Sequence, residues 1–207
     1  MIYTIFDIET TGLIENNKFP QVLEVGYIQI DEYLNILRGD SFYFYRPEWE
    51  IPEKALQING LTLDLLKEHE KDYYSSLVKL WTLMERGRLI GKNSDAFDIP
   101  ICKNMFSANS DMLKLPAVRQ SIDMQKIYGK TYKDYIANKT GVRPRSAGKL
   151  EEYMDVIGLT QDEIKAQFEE IFPSETRSAA HSALYDAYMT YLVTKDAVAK
   201  YLLRLEV

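Results

Sequence analysis

The sequence predicts an α/β protein, a mixed sheet flanked by helices. Three observations carry this. Three β-rich runs stand together in the first 45 residues, helix and strand signals alternate from there to about residue 123, and the remainder is mostly helical. At 207 residues the chain fits a single domain, 1–207, large enough to bury roughly 70% of its unfolded surface.

Residues 2–8, Ile-Tyr-Thr-Ile-Phe-Asp-Ile, make a short apolar run that suits a buried strand. Residues 22–30 and 34–45 are two further β-rich runs, and 31–35 between their cores reads as a hairpin connection, so the three predict an antiparallel meander. Pro47 and Pro52 end it. Short helical patterns follow around 58–69, set off by Asn59-Gly60. Residues 73–86 then place Leu77, Leu80, Trp81 and Met84 at helical spacing. A very short strand is expected at 88–91, a helix over 97–108 opened by Asp95 or Asp98, and a fifth strand at 118–123. Helices are expected at 133–139, 148–157, 161–171 and from about residue 180 onward. No repeat, low-complexity tract or linker interrupts this order.

Composition excludes several classes. The apolar fraction of 46% is that of a globular protein. The longest stretch free of Asp, Glu, Lys and Arg, 55–63, is too short to span a bilayer, so no membrane partner is expected. The start, Met1-Ile2-Tyr3, has neither a basic stretch nor a small-residue cleavage site, and the single Cys102 can form no intrachain disulfide or zinc cluster. Together these predict a soluble, cytoplasmic protein. The net charge of −6 disfavours non-specific coating of nucleic acid. Charge is segregated, however: from Lys126 to Lys149 seven basic residues stand against Asp134 alone, and 150–175 carries eight acids against Lys165. Local charge decides the partners.

The most informative stretch is Phe6-Asp7-Ile8-Glu9-Thr10-Thr11-Gly12-Leu13. Strand alternation puts Asp7 and Glu9 on one face, with Phe6 and Ile8 pointing into a core. Two neighbouring carboxylates repel each other and resist desolvation, and a hard divalent cation makes such a pair tolerable. A solvated strand end would tolerate it too. Asp98 starts a helix, where it would complement the dipole or serve as a further ligand. Asp186 lies beside an apolar helical stripe, next to Ala183 and Ala187, whose small size would let a strand approach. His181, one of two histidines, precedes that helix in a Ser-Ala-Ala-His-Ser-Ala context. His69 reads as an exposed helix end with no role.

Taken in order, the Phe6–Leu13 stretch, Phe97-Asp98 and His181-(four residues)-Asp186 resemble the three exonuclease motifs of the DEDD superfamily. The histidine five residues before the last aspartate resembles the DEDDh, or DnaQ-like, branch, which includes the proofreading exonucleases of the DNA polymerase III epsilon type. The tyrosine branch would need Tyr where this chain has Ser182. Val22-Leu23-Glu24-Val25-Gly26 is similar to the family's second strand, and Gln57-Ile58-Asn59-Gly60-Leu61-Thr62 to its loop after the meander.

The resemblance implies an RNase H-like mixed sheet of five strands, an antiparallel three-strand meander plus two parallel strands. It implies two divalent ions, Mg²⁺ or Mn²⁺, held by Asp7, Glu9, Asp98 and Asp186. Asp7 would bridge them, Glu9 and Asp186 complete one site, and Asp98 act through water. His181 would deprotonate the attacking water. The product would be a nucleoside 5′-monophosphate released from a single-stranded 3′ end, of DNA before RNA. Two departures stand out. The family's second motif is usually His-Asn-x-x-Phe-Asp, whereas here Lys92-Asn93 is followed by three residues before Phe97. Asn59 stands where proofreading members often carry a histidine that contacts the terminal nucleotide.

Around the last nucleotide the resemblance places the backbone of Thr10 and Thr11, together with Leu13, Asn59 and Phe97. The segment 126–149 interleaves its cations with Tyr128, Tyr132 and Tyr135, a pattern for tracking phosphates and stacking bases, with Arg143 and Arg145 its most exposed part. Three other functions fit the residues: an exoribonuclease of the RNase T or oligoribonuclease type, a catalytically silent nucleic-acid-binding or polymerase-associated scaffold, and a phosphatase on the same metals. A polymerase or replication protein would bind through the surface. Nothing in the sequence fixes an oligomeric state.

Overall fold

The computed structural model describes residues 1–69, 72–118, 120–175, 177 and 181–206. Its elements run β1 (Ile2–Thr10), β2 (Val22–Asp31), β3 (Ile36–Tyr43), α1 (Glu53–Asn59), α2 (Leu63–His69), α3 (Tyr73–Arg86), β4 (Arg88–Gly91), α4 (Asp98–Ala108), β5 (Ser121–Asp123), α5 (Met124–Thr140), α6 (Leu150–Ile157), α7 (Gln161–Ile171) and α8 (Ala183–Ala199). The five strands form one sheet in the order β3-β2-β1-β4-β5. β1 and β2, and β2 and β3, pair antiparallel, while β4 joins β1 and β5 joins β4 in parallel. This is the mixed sheet the sequence predicts.

Alternation along the strands sorts the core into two layers. Tyr3 and Ile5 of β1, with Ile28 and Ile30 of β2, face α5, α6, α7 and α8. Phe6 and Ile8, with Val25 and Tyr27, face α3 and α4. Helix α8 is buried on nearly every side, with Leu184, Tyr188, Met189 and Val193 among its enclosed residues, as a helix apolar all round must be. The β2–β3 connection is fixed by Asp31, whose carboxylate accepts from the backbone N–H of Tyr33 and Asn35.

Three stretches differ from the sequence expectation. Helix α1 occupies 53–59, where Pro52 marks its N-terminal boundary instead of continuing a break; proline suits that position because its missing N–H has no helical partner. Helix α5 begins at Met124, capped by the Asp123 side chain, which accepts from Gln125 N, and is far longer than the 133–139 expected. Helix α8 begins at Ala183, and residue 180, its expected start, lies outside the described residues.

Candidate active site

Asp7 and Glu9 lie on the face of β1 that carries Tyr3 and Ile5, toward α8, near the strand's C-terminal end. In the β1–β2 ladder Asp7 is opposite Gly26. A Cβ on Gly26 would stand 2.1 Å from the backbone of Ala183 and Leu184, so its absence lets the start of α8 press on the sheet. That contact brings Asp186, in the first turn of α8, to the two β1 carboxylates. Asp98 opens α4 and is buried. His181 precedes Ser182, the N-cap of α8, and is exposed. One ring nitrogen of His181 and one carboxylate oxygen each of Glu9 and Asp186 all lie within 4.8 Å of one another. The structure thus gathers all five sequence-predicted chemical residues at one end of the sheet.

The carboxylates are held where ionisation is costly. Burial, then the charges of Asp98, Asp186, Glu9 and Glu24, keep Asp7 well above the ordinary carboxylate range. Burial with Asp186 and Glu24 pushes Glu9 up to about 9, against the partial relief of Arg177 and a hydrogen bond from Asn59. Burial and Glu151 push Asp186 up to about 8, and burial carries Asp98 to about 7 despite backbone hydrogen bonds at Asp98 and Ile8. Asp186 Oδ1 is buried with no hydrogen-bond partner among the described residues. Crowded, desolvated and partly unpartnered oxygen ligands are a donor set suited to a hard divalent cation.

Four charged residues of the site carry no role assigned from the sequence, although Glu24 and Lys92 lie in stretches compared with the family's motifs. Glu24 is fully buried opposite Glu9 and ion-paired to Arg177. Lys92, at the end of β4, lowers both Asp98 and Asp186. Glu151, on α6 in the acidic stretch 150–175, raises Asp186, so part of that stretch bears on the site. An acid inside the apolar run Val22–Tyr27 is a legible signal; the other three depend on tertiary contacts. Asn93 has left-handed backbone (φ 62°), its N–H donates to Asp123 at 2.8 Å and its side-chain oxygen accepts from Gln125 at 3.0 Å. The residue is thus committed to the β5–α5 junction, while Ser94 is buried against Gly91.

Beside the carboxylates opens a cleft of about 690 Å³, bounded by the β1–β2 connection, α1 and Phe97. Glu9 lines its inner end, and Leu13, Ile58 and Phe97 give it apolar walls. Leu13 is 65% exposed. Phe97 both lines the cleft and packs on the core beneath. Asn59 is buried; its Nδ2 donates to the Thr10 carbonyl at 3.2 Å. Thr10 Oγ1 donates to the Gly12 carbonyl, and the Thr11 N–H to the Gln21 carbonyl. The polar backbone of Thr10 and Thr11 is therefore largely engaged within the loop.

The basic segment departs from its expected form. Tyr128 and Tyr132 are core residues packed on Tyr153, unavailable for stacking on bases, because their four-residue spacing on α5 aims both inward. Lys126 pairs with Asp95, and Arg143 with Asp134. Arg145 is exposed, and its carbonyl accepts from Lys133 Nζ at 2.9 Å.

A model of an exonuclease family, RNase T, matches residues 4–194. The chain belongs to this exonuclease family. Among solved structures, the exonuclease-family fold recurs in exonuclease I, in a structure described for how processivity is achieved: TM-score 0.72, 17% identity, covering 97% of this chain and 42% of that one. Two structures from E. coli resemble it similarly. Exonuclease I with single-stranded DNA in its zinc-bound form gives a TM-score of 0.70 at 18% identity, covering 96% of this chain and 40% of that one. Exonuclease I with a dT13 oligonucleotide gives 0.69 at 17% identity, covering 97% and 43%. The chain spans less than half the length of these proteins. No curated protein sequence matches it. No helix among the described residues is long and apolar enough to cross a membrane.

Proposed function

We propose that this chain is a divalent-metal-dependent 3′–5′ exonuclease of the DEDDh type, a single domain over 1–207 that removes nucleoside 5′-monophosphates from single-stranded 3′ ends. The observation that carries this reading is the convergence of Asp7, Glu9, Asp98 and Asp186 at one sheet end, with the His181 ring within 4.8 Å of Glu9 and Asp186 oxygens. Asp7, Glu9 and Asp186 would hold one Mg²⁺ or Mn²⁺, and Asp7 with Asp98 a second. When bound, such ions stabilise the attacking and leaving oxygens of an in-line phosphoryl displacement.

The chain's own residues do the rest. The unprotonated ring nitrogen of His181 accepts a proton from the attacking water as its oxygen bonds to phosphorus. The bond from phosphorus to the 3′ oxygen of the penultimate nucleotide breaks, and that oxygen takes a proton from solvent water, leaving a 3′-hydroxyl on the shortened strand; the proton on His181 returns to solvent. The cleft, within the size range of about 300–1,000 Å³ usual for ligand sites, takes the terminal nucleotide. Leu13 and Phe97 offer apolar faces to its base, which suits any base because every base has a flat face. Asn59 and the Thr10–Thr11 turn shape the wall, and Arg143 and Arg145 track phosphates upstream. DNA is the preferred substrate in this reading, in keeping with the single-stranded DNA bound by exonuclease I.

The test is incubation of 3′-exposed single-stranded DNA and matched RNA with the protein in Mg²⁺, alongside Asp7→Ala and His181→Ala. Stepwise shortening from the 3′ end, abolished in the first variant and strongly reduced in the second, is expected. Release of inorganic phosphate with no shortening would overturn the reading.

A further inference from the structure

His181 sits in a conformation that its own sequence does not favour. Its φ of 66° is left-handed, a region few residues with side chains occupy. Two contacts tie its backbone to the rest of the site. A backbone hydrogen bond links His181 to the Asp186 carboxylate, and the His181 carbonyl accepts from Arg177 Nη2 at 3.0 Å. The same Nη2 donates to the Asn59 carbonyl at 2.5 Å, at the end of α1. The other arm of the guanidinium is ion-paired to Glu24, which is fully buried on β2. Glu24 in turn accepts from the backbone N–H of Ala183 at 3.3 Å, in the first turn of α8.

One planar fork therefore joins three parts of the site: the strand beneath it, the wall of the nucleotide cleft and the turn that carries the histidine. We propose that Arg177 is the positioning residue of the general base, and that its bridge from Glu24 to the carbonyls of Asn59 and His181 holds the imidazole over the carboxylates only while the Asn59 wall is in place. The inference rests on the reading of His181 as that base. Glu24 serves here as the anchor of the fork. Its opposition to Glu9 across the ladder would set two carboxylates face to face, and the guanidinium neutralises the inner one. Lysine cannot replace this residue: a single ammonium is a point charge, whereas the guanidinium directs separate N–H groups to separate acceptors.

The experiment uses the full chain as wild type, Arg177→Lys, His181→Ala, the double variant of these two, and Glu24→Gln/Arg177→Met. The last removes the buried charge and its partner together, so neither is left unpaired. Under saturating Mg²⁺ and oligodeoxynucleotide, Arg177→Lys and Glu24→Gln/Arg177→Met should each lower kcat by about 10–100-fold, the effect of misplacing a catalytic group by about 1 Å, with KM little changed. In the His181→Ala background Arg177→Lys should cost nothing further, because its effect passes through the missing ring. A second readout needs no turnover. The chain has two histidines, so their ring signals are separable by NMR. Mn²⁺ should broaden the His181 ring signal and spare His69 in wild type, and the His181 broadening should weaken in Arg177→Lys.

A loss of the same size in both backgrounds, or unchanged kcat with unchanged broadening, overturns the proposal. Weakened broadening in Arg177→Lys, with a wild-type protein that shortens no oligonucleotide, would support the positioning role and sink the exonuclease reading instead.

Discussion

Raising the pH of the metal-free protein from about 5.5 to about 7.5 should lower its melting temperature, against the common behaviour of proteins with paired carboxylates. The folded cluster holds protons that the unfolded chain has lost. Glu9 sits at about 9 against an ordinary 4.5, and Asp186 and Asp98 at about 8 and 7 against 3.8. Groups raised on folding contribute stability that is complete below their unfolded pKa and lost as pH climbs toward the folded value. Across this window the native state binds more protons than the unfolded state, so stability falls with pH. Because the four acids interact, a conservative count gives the cluster a single excess proton. One proton is worth about 1.4 kcal/mol per pH unit, hence about 2.7 kcal/mol over two units. At about 2–4 °C per kcal/mol for a chain of this size, the melting temperature should drop by about 5–11 °C. Mg²⁺ at a hundred times its dissociation constant would return about 2.7 kcal/mol. The assay is a series of thermal melts by circular dichroism in chelator and in Mg²⁺, with Asp186→Asn expected to flatten the slope in chelator. A melting temperature that is level or rising between these pH values in chelator would refute the electrostatic reasoning.

Gly26→Ala should displace the start of α8, since its Cβ would meet backbone atoms at 2.1 Å; a loss of about 1–3 kcal/mol in urea unfolding, with turnover falling more steeply than stability, is expected. Leu13→Ala should leave the melting temperature unchanged, because the side chain is exposed, yet raise KM by the equivalent of roughly 1–2 kcal/mol of lost apolar contact. Phe97→Ala should raise KM and also destabilise the fold, as that ring packs on the core. Arg145→Ala should reduce the salt dependence of single-strand binding by about 0.7 in log–log slope, with a smaller effect for Arg143→Ala, whose charge is paired to Asp134.

The sheet was legible because its signal is local. Period-two alternation in residues 2–9 fixes which side chains meet which helix layer, and so places Asp7 with Glu9 before any tertiary contact is known. Motif order did the same for Asp98, His181 and Asp186. Tyr128 and Tyr132 show where such reading fails. Read as rings among lysines they suggest a stacking surface, but a four-residue interval also marks one helical face, and burial against Tyr153 decided between the two. Pro52 was ambiguous in the same manner, since proline both breaks a helix and begins one. Arg177 lay beyond reach for a different reason. Its acceptors include a backbone carbonyl 118 residues away, and a carbonyl carries no trace of its partner in the residue type.

The arrangement of fixed charge explains why metal binding and stability must be linked in this fold. Among the described residues, two cations bear on the carboxylate cluster. Arg177 is committed to Glu24, and Lys92, itself lowered by burial, offers partial relief to Asp98 and Asp186. Four acids at one sheet end therefore exceed what these two cations neutralise, a difference that protons or the proposed divalent ions would balance. Protons and metal then compete for the same oxygens, so apparent metal affinity must rise with pH through the window in which metal-free stability falls. The two slopes are one free energy observed from two sides. A chain that replaced Asp98 with a neutral residue would gain metal-free stability at neutral pH and lose a proposed metal ligand in the same step, the exchange expected wherever a site is kept for chemistry and not for folding.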